Sequence, residues 1–223
     1  MTEETRFQID KDLLREGLST YTRKAFHMLP KLDKPRILDV GCGSGVPTLE
    51  LARLSNGQII GLDINQSLLD RLMEKIEKAG LSDRVKTVKC SILDMDFPDE
   101  SFDIIWAEGS IWIIGFERGL KEWRRFLKPN RYMIVHDDIG NIKEKIEQVS
   151  NCGYKLVEYF TLNEDTWWID YYAPLEKLVN EIRTKYTSNS KALAMLEKDQ
   201  REIDMFKKNP KRYRSVFFIM KKE

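Results

Sequence analysis

The sequence predicts an α/β fold in which a mostly parallel, doubly wound sheet carries helices on both faces. Short apolar runs, typical of buried strands, alternate with segments of helical periodicity along most of the 223 residues. A glycine-rich turn follows the first apolar run, and an acidic residue ends the second. Regular alternation of strands and helices implies crossover connections, and therefore strands that run in the same direction.

The elements are predicted in chain order. A leader from Phe7 to Leu32 forms one or two helices, because Gly17-Leu18-Ser19-Thr20 has the composition of a break followed by an N-cap. Apolar runs predict strands at Arg36–Val40, Gln58–Leu62, Val85–Lys89, Phe102–Trp106, Tyr132–Val135, Tyr154–Phe160 and Ser215–Met220. Apolar residues three or four apart predict helices at Val46–Leu54, Ser67–Lys78, Glu117–Leu127, Ile142–Val149, Leu175–Tyr186 and Leu193–Phe206. The last two helices interrupt the strict alternation before the final strand.

Composition limits the classes of function. The 37 basic and 36 acidic residues nearly cancel, so no global field favours a nucleic acid or a membrane surface. The three cysteines are scattered and form neither a disulfide framework nor a metal-ligand cluster. The N-terminus lacks the pattern of a signal peptide, and no apolar run approaches the roughly 20 residues of a membrane helix. We expect a soluble, cytoplasmic protein of one domain.

The first two strands end in a pattern that suits a nucleoside cofactor. Gly41, Gly43 and Gly45 follow the first strand at every second position, and such glycines allow positive φ angles or close approach of a ligand. Asp63 ends the second strand, where a carboxylate can accept hydrogen bonds from both hydroxyls of a ribose. The alternative is a glycine-rich turn with a purely structural role.

The glycine spacing separates two kinds of cofactor. A dinucleotide fingerprint requires a glycine where Val46 stands. The pattern Asp39-Val40-Gly41-Cys42-Gly43-Ser44-Gly45 instead resembles motif I of the class I S-adenosyl-L-methionine (SAM)-dependent methyltransferases. Gly61-Leu62-Asp63-Ile64-Asn65 resembles motif II of that family, and the run from Cys90 to Asp103 resembles the stretch that contacts adenine. The resemblance implies that SAM is the cofactor and that it is held by Asp39, Gly41, Cys42, Gly43, Asp63, Ile64, Ser91 and Ile92.

The resemblance covers Lys34 to Glu158 and is to the UbiE-like group of that family; Trp106–Arg125 and Trp167–Pro174 are similar to a small uncharacterised bacterial and archaeal subset. It implies a Rossmann-like, seven-stranded sheet whose last strand is antiparallel. On this basis we expect a helical lid at 1–33, a SAM-binding core at 34–160, a helical substrate cap at 161–212 and the last strand at 213–223. Ser91 stands where the family usually has an acid, so its adenine contact would lack a charge.

Two residues are candidates for catalysis. Methyl transfer from a sulfonium requires placement of the nucleophile in a dry site, and a base only if the acceptor must lose a proton. Glu108 follows strand four and His136 follows strand five, at the edge where open α/β sheets bind ligands. Glu108 is also a candidate contact for the methionine part of the cofactor. The structural alternatives are a helix-capping acid and a histidine that serves only as a hydrogen-bonding group.

Aromatic residues suggest an acceptor pocket. Trp167, Trp168, Tyr171 and Tyr172 fall within six positions, and Trp112 follows Glu108. We expect these rings to form a cage for a small acceptor, closed by the tail and the leader, since such rings exclude water yet offer polar tips. The alternative is that they pack the inserted helices onto the sheet.

The sequence therefore predicts a methyltransferase that acts on a small molecule, as a monomer or a homodimer. Two alternatives remain. The basic run Lys207–Arg214 could bind RNA in an RNA or protein methyltransferase, although runs of this kind are usually solvated loops. The chain could also bind SAM without catalysis, because methyl transfer does not always need a specific side chain.

Overall fold

The computed structural model describes residues 9–223, so the predicted start of the leader at Phe7 lies outside the described residues. Seven strands form one sheet in the order β3-β2-β1-β4-β5-β7-β6. They are β1 (Arg36–Val40), β2 (Gln58–Asp63), β3 (Val85–Lys89), β4 (Phe102–Glu108), β5 (Leu127–Asp138), β6 (Tyr154–Leu162) and β7 (Ser215–Lys222). Neighbours from β3 to β5 pair in parallel, and β7 pairs antiparallel with β5, which confirms the predicted fold class.

The helices are α1 (Lys11–His27), α2 (Val46–Leu54), α3 (Gln66–Lys78), α4 (Phe116–Trp123), α5 (Ile142–Asn151), α6 (Glu164–Trp167), α7 (Ala173–Lys185) and α8 (Ser190–Lys208). A π-helical segment, Trp168–Tyr172, joins α6 to α7. The side chain of Asn65 accepts from Ser67 N at 3.0 Å and so caps α3. Within residues 9–223, no helix is both long and apolar enough to cross a membrane.

The chain divides into two compact units. Residues 19–161 and 215–223 form the sheet unit, and residues 9–18 with 162–214 belong to the tail unit. The helix α1 passes from one unit to the other. The helical lid expected for residues 1–33 stays a prediction. The core of the sheet unit is built from apolar side chains of β1, β4, β5 and β7, among them Leu38, Ile105, Val135 and Phe218.

Two local expectations about backbone breaks have different outcomes. The predicted break at Gly17-Leu18-Ser19-Thr20 is wrong, because α1 is continuous through these residues. A single glycine costs a helix only about 1 kcal/mol, which burial of one helix face can offset. Residues 128–130, which separate the predicted helix Glu117–Leu127 from the predicted strand Tyr132–Val135, lie instead within β5, at an irregularity in its register with β4. Asn130 there adopts φ +60°, the left-handed conformation that asparagine tolerates.

The tail aromatics Trp167, Trp168, Tyr171 and Tyr172 lie in two consecutive helical segments, α6 and the π-helical segment. Tyr171 and Tyr172 are buried in the core of the tail unit, together with Leu175, Val179, Leu196, Ile203 and Phe206. Tyr171 and Tyr172 therefore have a structural place in the apolar core that α7 and α8 form.

Candidate active site

Four polar side chains lie at the edge where the parallel strands end. Asp39 precedes the last residue of β1, Asp63 ends β2, and Glu108 ends β4. His136 of β5 is the register partner of Glu108, so their side chains project from the same face of the sheet. The four residues belong to the sheet unit. The sequence predicted each of them for this edge.

The glycine turn, residues 41–45, is held by backbone hydrogen bonds to β2 and leaves one residue open to a ligand. The N–H groups of Gly41 and Cys42 both donate to Leu62 O, at 2.8 and 2.9 Å. A Cβ on Gly41 would lie 2.4 Å from Ser110 Cβ, whereas one on Gly43 would meet nothing closer than 4.0 Å. Gly41 is therefore required by packing, and Gly43 leaves room for a ligand to approach the backbone.

Asp63 is fixed against this turn. Its two carboxylate oxygens accept hydrogen bonds from Gly43 N at 2.9 Å and from Asn65 N at 2.8 Å. Each oxygen keeps a lone-pair direction for a further donor, as a ribose diol requires. The arrangement fits a nucleoside whose sugar lies beside Gly43.

The predicted adenine segment lies next to Asp63. Cys90 N donates to Asp63 O at 3.1 Å, which brings Ser91 and Ile92 to the end of β2. Ser91 Oγ accepts from Leu93 N at 3.1 Å, and Ile92 is buried. Ile64, the residue after Asp63, exposes 67% of its surface. An apolar side chain left exposed beside a fixed carboxylate is suited to cover one face of a base.

Asp39 is a buried acid with one strong donor. Thr48 Oγ1 donates to Asp39 Oδ2 at 2.6 Å. Burial raises the pKa of Asp39 to about 7, and the negative charges of Glu108 and Asp63 act in the same direction, while the Thr48 hydrogen bond lowers it. Asp39 is thus close to its titration point at neutral pH.

Glu108, at the end of β4, is like Asp39 a buried acid that accepts side-chain hydrogen bonds. Its Oε1 accepts from Trp106 Nε1 at 2.7 Å and from Thr22 Oγ1 at 2.8 Å. Burial raises the pKa of Glu108 to about 7, against the lowering effect of these two hydrogen bonds. A carboxyl group with a pKa near the working pH can both take up and release a proton.

His136 is a neutral group at this site. Its ring stacks on Phe217 with 4.3 Å between centroids, and Nε2 lies 2.8 Å from Ser215 Oγ. Burial lowers the pKa of His136 to about 4, so the ring is uncharged at neutral pH and is a weaker base than Glu108. The neighbouring Asp137 is bound instead by Lys145, at 2.7 Å.

The aromatic candidates divide between the two units. Trp112 is in the sheet unit, exposes 66% of its surface and donates through Nε1 to Gly109 O at 2.9 Å. In the tail unit, Tyr172 stacks on Phe206 with 4.1 Å between centroids, and Trp168 stacks on the same ring at 5.9 Å. Tyr171 and Tyr172 are buried, as the structural alternative for these rings expects.

The sequence did not single out three hydroxyl residues that support the site. Thr48 binds Asp39, Thr22 binds Glu108, and Ser110 donates to Val40 O at 2.5 Å beneath the glycine turn. Thr48 follows the last turn glycine by three positions, a spacing that could have indicated it. Nothing in the local sequence connects Thr22 to Glu108, 86 positions away.

This sheet edge combines a glycine turn with one open residue, a carboxylate placed for a ribose, and titratable acids. These features define an α/β protein that binds a nucleoside cofactor. Comparison with known proteins identifies which kind. Residues 37–130 match the family described as "Methyltransferase domain". Over these residues the chain is a methyltransferase domain, and its cofactor is SAM.

Individual relatives are distant. The chain is 26% identical over 162 residues to 27-O-demethylrifamycin SV methyltransferase of Amycolatopsis mediterranei (strain S699), a match that covers 68% of this chain and 58% of that relative. The crystal structure of the cyclase SpnF has a TM-score of 0.74 at 20% identity and covers 92% of this chain and 81% of its own. A SAM-dependent methyltransferase from Geobacter sulfurreducens, solved with S-adenosyl-L-homocysteine (SAH), has a TM-score of 0.72 at 18% identity, with 97% and 94% covered. At these identities the structures share the fold.

Replacing Gly43 by alanine should weaken SAM binding more than it weakens the fold. Apart from its chain neighbours, the nearest atom to the methyl group within residues 9–223 would be Leu68 Cδ1 at 4.0 Å, and the methyl group would project from the open side of the turn. We expect a loss of about 1–2 kcal/mol in SAM affinity, within the range for inserting a methyl group into a packed contact. Gly80→Ala is the matched control, because Gly80 also has a positive φ and open space around it. Calorimetric titration of both variants checks this; equal affinities would contradict it.

SAM affinity should rise with pH more steeply than SAH affinity. The pKa values of Asp39 and Glu108 are both raised to about 7, so these groups gain charge as the pH rises through neutrality. SAM carries a sulfonium charge that SAH lacks, and a cation favours the ionised carboxylates. The ratio of SAM affinity to SAH affinity should therefore increase with pH. The increase is up to about tenfold for each pKa unit by which the sulfonium lowers the pKa of a carboxyl group. Calorimetry from about pH 6 to about pH 8 measures it, and parallel curves for both ligands would refute the coupling.

Proposed function

We propose that this protein transfers a methyl group from SAM to a small-molecule acceptor at the carboxyl edge of its sheet. The observation that carries the proposal is the contact of the Asp63 carboxylate with the backbone of the open glycine turn, at 2.9 Å from Gly43 N. It supports a fixed ribose site at the same sheet edge as the titratable residue Glu108. The methyltransferase activity of the rifamycin relative is consistent with a small acceptor.

The residues of the sheet unit would divide the cofactor between them. Asp63 accepts hydrogen bonds from the ribose hydroxyls, and Ile64 covers one face of the adenine. Ser91 and Ile92 lie along the edge of the base, where the uncharged Ser91 hydroxyl supplies a weaker contact than an acid would. Gly41, Cys42 and Gly43 present their backbone to the methionine part, and Asp39 supports the turn through Thr48 and α2.

When bound, SAM supplies a methyl group activated by a sulfonium. The chain's own contribution is to hold the acceptor in line, to exclude water and to remove a proton where the acceptor carries one. Glu108 is the proposed base, since its pKa of about 7 matches that task. His136, with a pKa lowered to about 4, serves as a neutral hydrogen-bonding group beside it. Trp112, exposed on the loop after β4, is a proposed contact for the acceptor.

The alternative acceptors, RNA and protein, have less support. Two cations of the basic run are engaged within the tail unit: Lys207 binds Glu176 at 2.5 Å and Arg214 binds Glu164 at 3.4 Å. Ion pairing of this kind reduces the charge available for phosphate groups.

The test is conversion of methyl-labelled SAM by the purified protein in fractionated metabolite extract. We expect labelled product in a low-molecular-weight fraction that resists ribonuclease and protease. Loss of the acceptor after ribonuclease or protease treatment would overturn the small-molecule assignment. Tight SAM binding without turnover in any fraction would instead indicate a module that binds SAM without catalysis. Asp63→Ala, which removes the ribose contact, is the control for signal that does not depend on the cofactor site.

A further inference from the structure

Both donors to Glu108 converge on the same oxygen. Trp106 Nε1 and Thr22 Oγ1 lie 2.7 and 2.8 Å from Oε1. Among residues 9–223, no hydrogen-bond donor is found on the second oxygen, Oε2. The carboxylate is therefore held in one orientation and keeps one oxygen available for a ligand.

The position of Thr22 is set by the helical face that α1 buries. Ser19, Thr22 and Ala25 are buried and lie three residues apart, so they form one stripe of the helix. Thr22 is 2% exposed, although a threonine is not an apolar residue, and its hydroxyl donates to Glu108 Oε1. A buried hydroxyl requires a partner, and here the partner is a proposed catalytic group.

The two cations of α1 next to Thr22 are engaged with groups other than Glu108. Arg23 pairs with Glu50 at 3.0 Å, and Lys24 lies over the ring of Phe160 at 4.2 Å. Two titratable groups lie near Glu108. Asp39 of β1 interacts with it electrostatically, and His136 of β5 is its register partner. The charge of Asp63 on β2 affects Asp39 in the same way as that of Glu108. These groups are acidic or neutral, so neutral hydrogen-bond donors are what stabilises the ionised carboxylate.

We propose that Thr22 is a positioning residue that orients Glu108 and keeps it ionised, so that Oε2 takes the proton of the acceptor. In the step this implies, a lone pair of the acceptor oxygen or nitrogen forms the bond to the methyl carbon. The carbon–sulfur bond breaks, its electron pair stays on sulfur to give SAH, and the acceptor proton passes to Oε2. The inference rests on the proposed role of Glu108 as the base.

The electrostatic half of the proposal can be tested without knowing the acceptor. Protein labelled with ¹³C at the glutamate carboxyl carbons is titrated by NMR, and Glu108→Gln assigns the Glu108 signal. Thr22→Val keeps the shape of the side chain and removes the donor, so the Glu108 midpoint should move up by about 1–2 pH units, as expected for losing a hydrogen bond to a charged group. Thr22→Ser should restore the original midpoint. Thr20→Val, the same change at an exposed position of α1, is the matched control.

An unchanged midpoint in Thr22→Val, or the same shift in Thr20→Val, would overturn the proposal. Turnover of labelled SAM with an active extract fraction then tests the functional half. Thr22→Val should shift the acid limb of the pH–rate profile upward by the same amount, and Thr22→Ser should not. Full activity of Glu108→Gln would instead refute Glu108 as the base, so the two failures are distinguishable. SAH affinity of each variant, measured by calorimetry, reports whether the site has stayed intact.

Discussion

Asp63→Ala is expected to weaken SAM binding by about 1.5–3 kcal/mol, a loss of roughly 10- to 150-fold, as for removal of hydrogen bonds to a charged group. The carboxylate has two tasks. It would accept from the ribose hydroxyls, and it already holds the N–H groups of Gly43 and Asn65 at 2.9 and 2.8 Å. Its removal therefore loosens the turn as well as deleting the ligand contact. Calorimetric titration with SAM measures the loss.

Two further variants separate these contributions. Asp63→Asn keeps an oxygen acceptor without the charge, so it should retain more affinity than Asp63→Ala. Asp83→Ala removes an exposed acid between α3 and β3 and controls for the change in net charge. If all three variants bound SAM like the unaltered protein, the ribose role of Asp63 would be wrong. Binding of NAD in place of SAM would contradict the cofactor assignment made from the glycine spacing.

Tyr172→Ala is expected to destabilise the tail unit by about 3–5 kcal/mol, the usual cost of truncating a buried aromatic side chain. Tyr172 is 4% exposed, stacks on Phe206 at 4.1 Å and makes an edge contact with Tyr171 at 5.0 Å. Its removal leaves a cavity among the residues that join α7 and α8. Urea denaturation followed by circular dichroism measures the change in the free energy of unfolding.

The matched control lies in the same π-helical segment. Ile169 exposes 65% of its surface, so Ile169→Ala should change the free energy of unfolding by no more than about 0.5 kcal/mol. Trp168→Ala should have an intermediate effect, because that ring is only partly buried against Phe206. A Tyr172→Ala variant that kept its stability but lost turnover would return this ring to the acceptor pocket predicted from the sequence.

The site at the sheet edge could be predicted because its residues are close in sequence to the strands that place them. Asp39, Gly41 and Gly43 follow one strand, and Asp63 ends the next. A parallel sheet brings the carboxyl ends of such strands together whatever the remaining packing. The antiparallel last strand, in contrast, came from the family resemblance, because an apolar run does not specify the direction in which it pairs.

The tail and the leader could not be predicted to the same degree. The aromatic segment 167–172 was interpreted as a cage because four rings fall within six positions and such rings exclude water yet offer polar tips. A π-helical turn and the core between α7 and α8 give the same rings a structural place. The continuity of α1 through Gly17 likewise depends on tertiary burial, which offsets the weak helix propensity of glycine.

The sequence by itself determined the order of strands and helices along the chain and the sheet edge on which Asp39, Asp63 and Glu108 lie, since these follow from local periodicity and strand direction. Only the tertiary structure decided what those acids can do. Burial of Asp39 and Glu108 raises their pKa values to about 7, and Thr22 reaches Glu108 from a helix 86 positions away. Desolvation and long-range hydrogen bonds depend on which surfaces pack together, and no local pattern of residues encodes them.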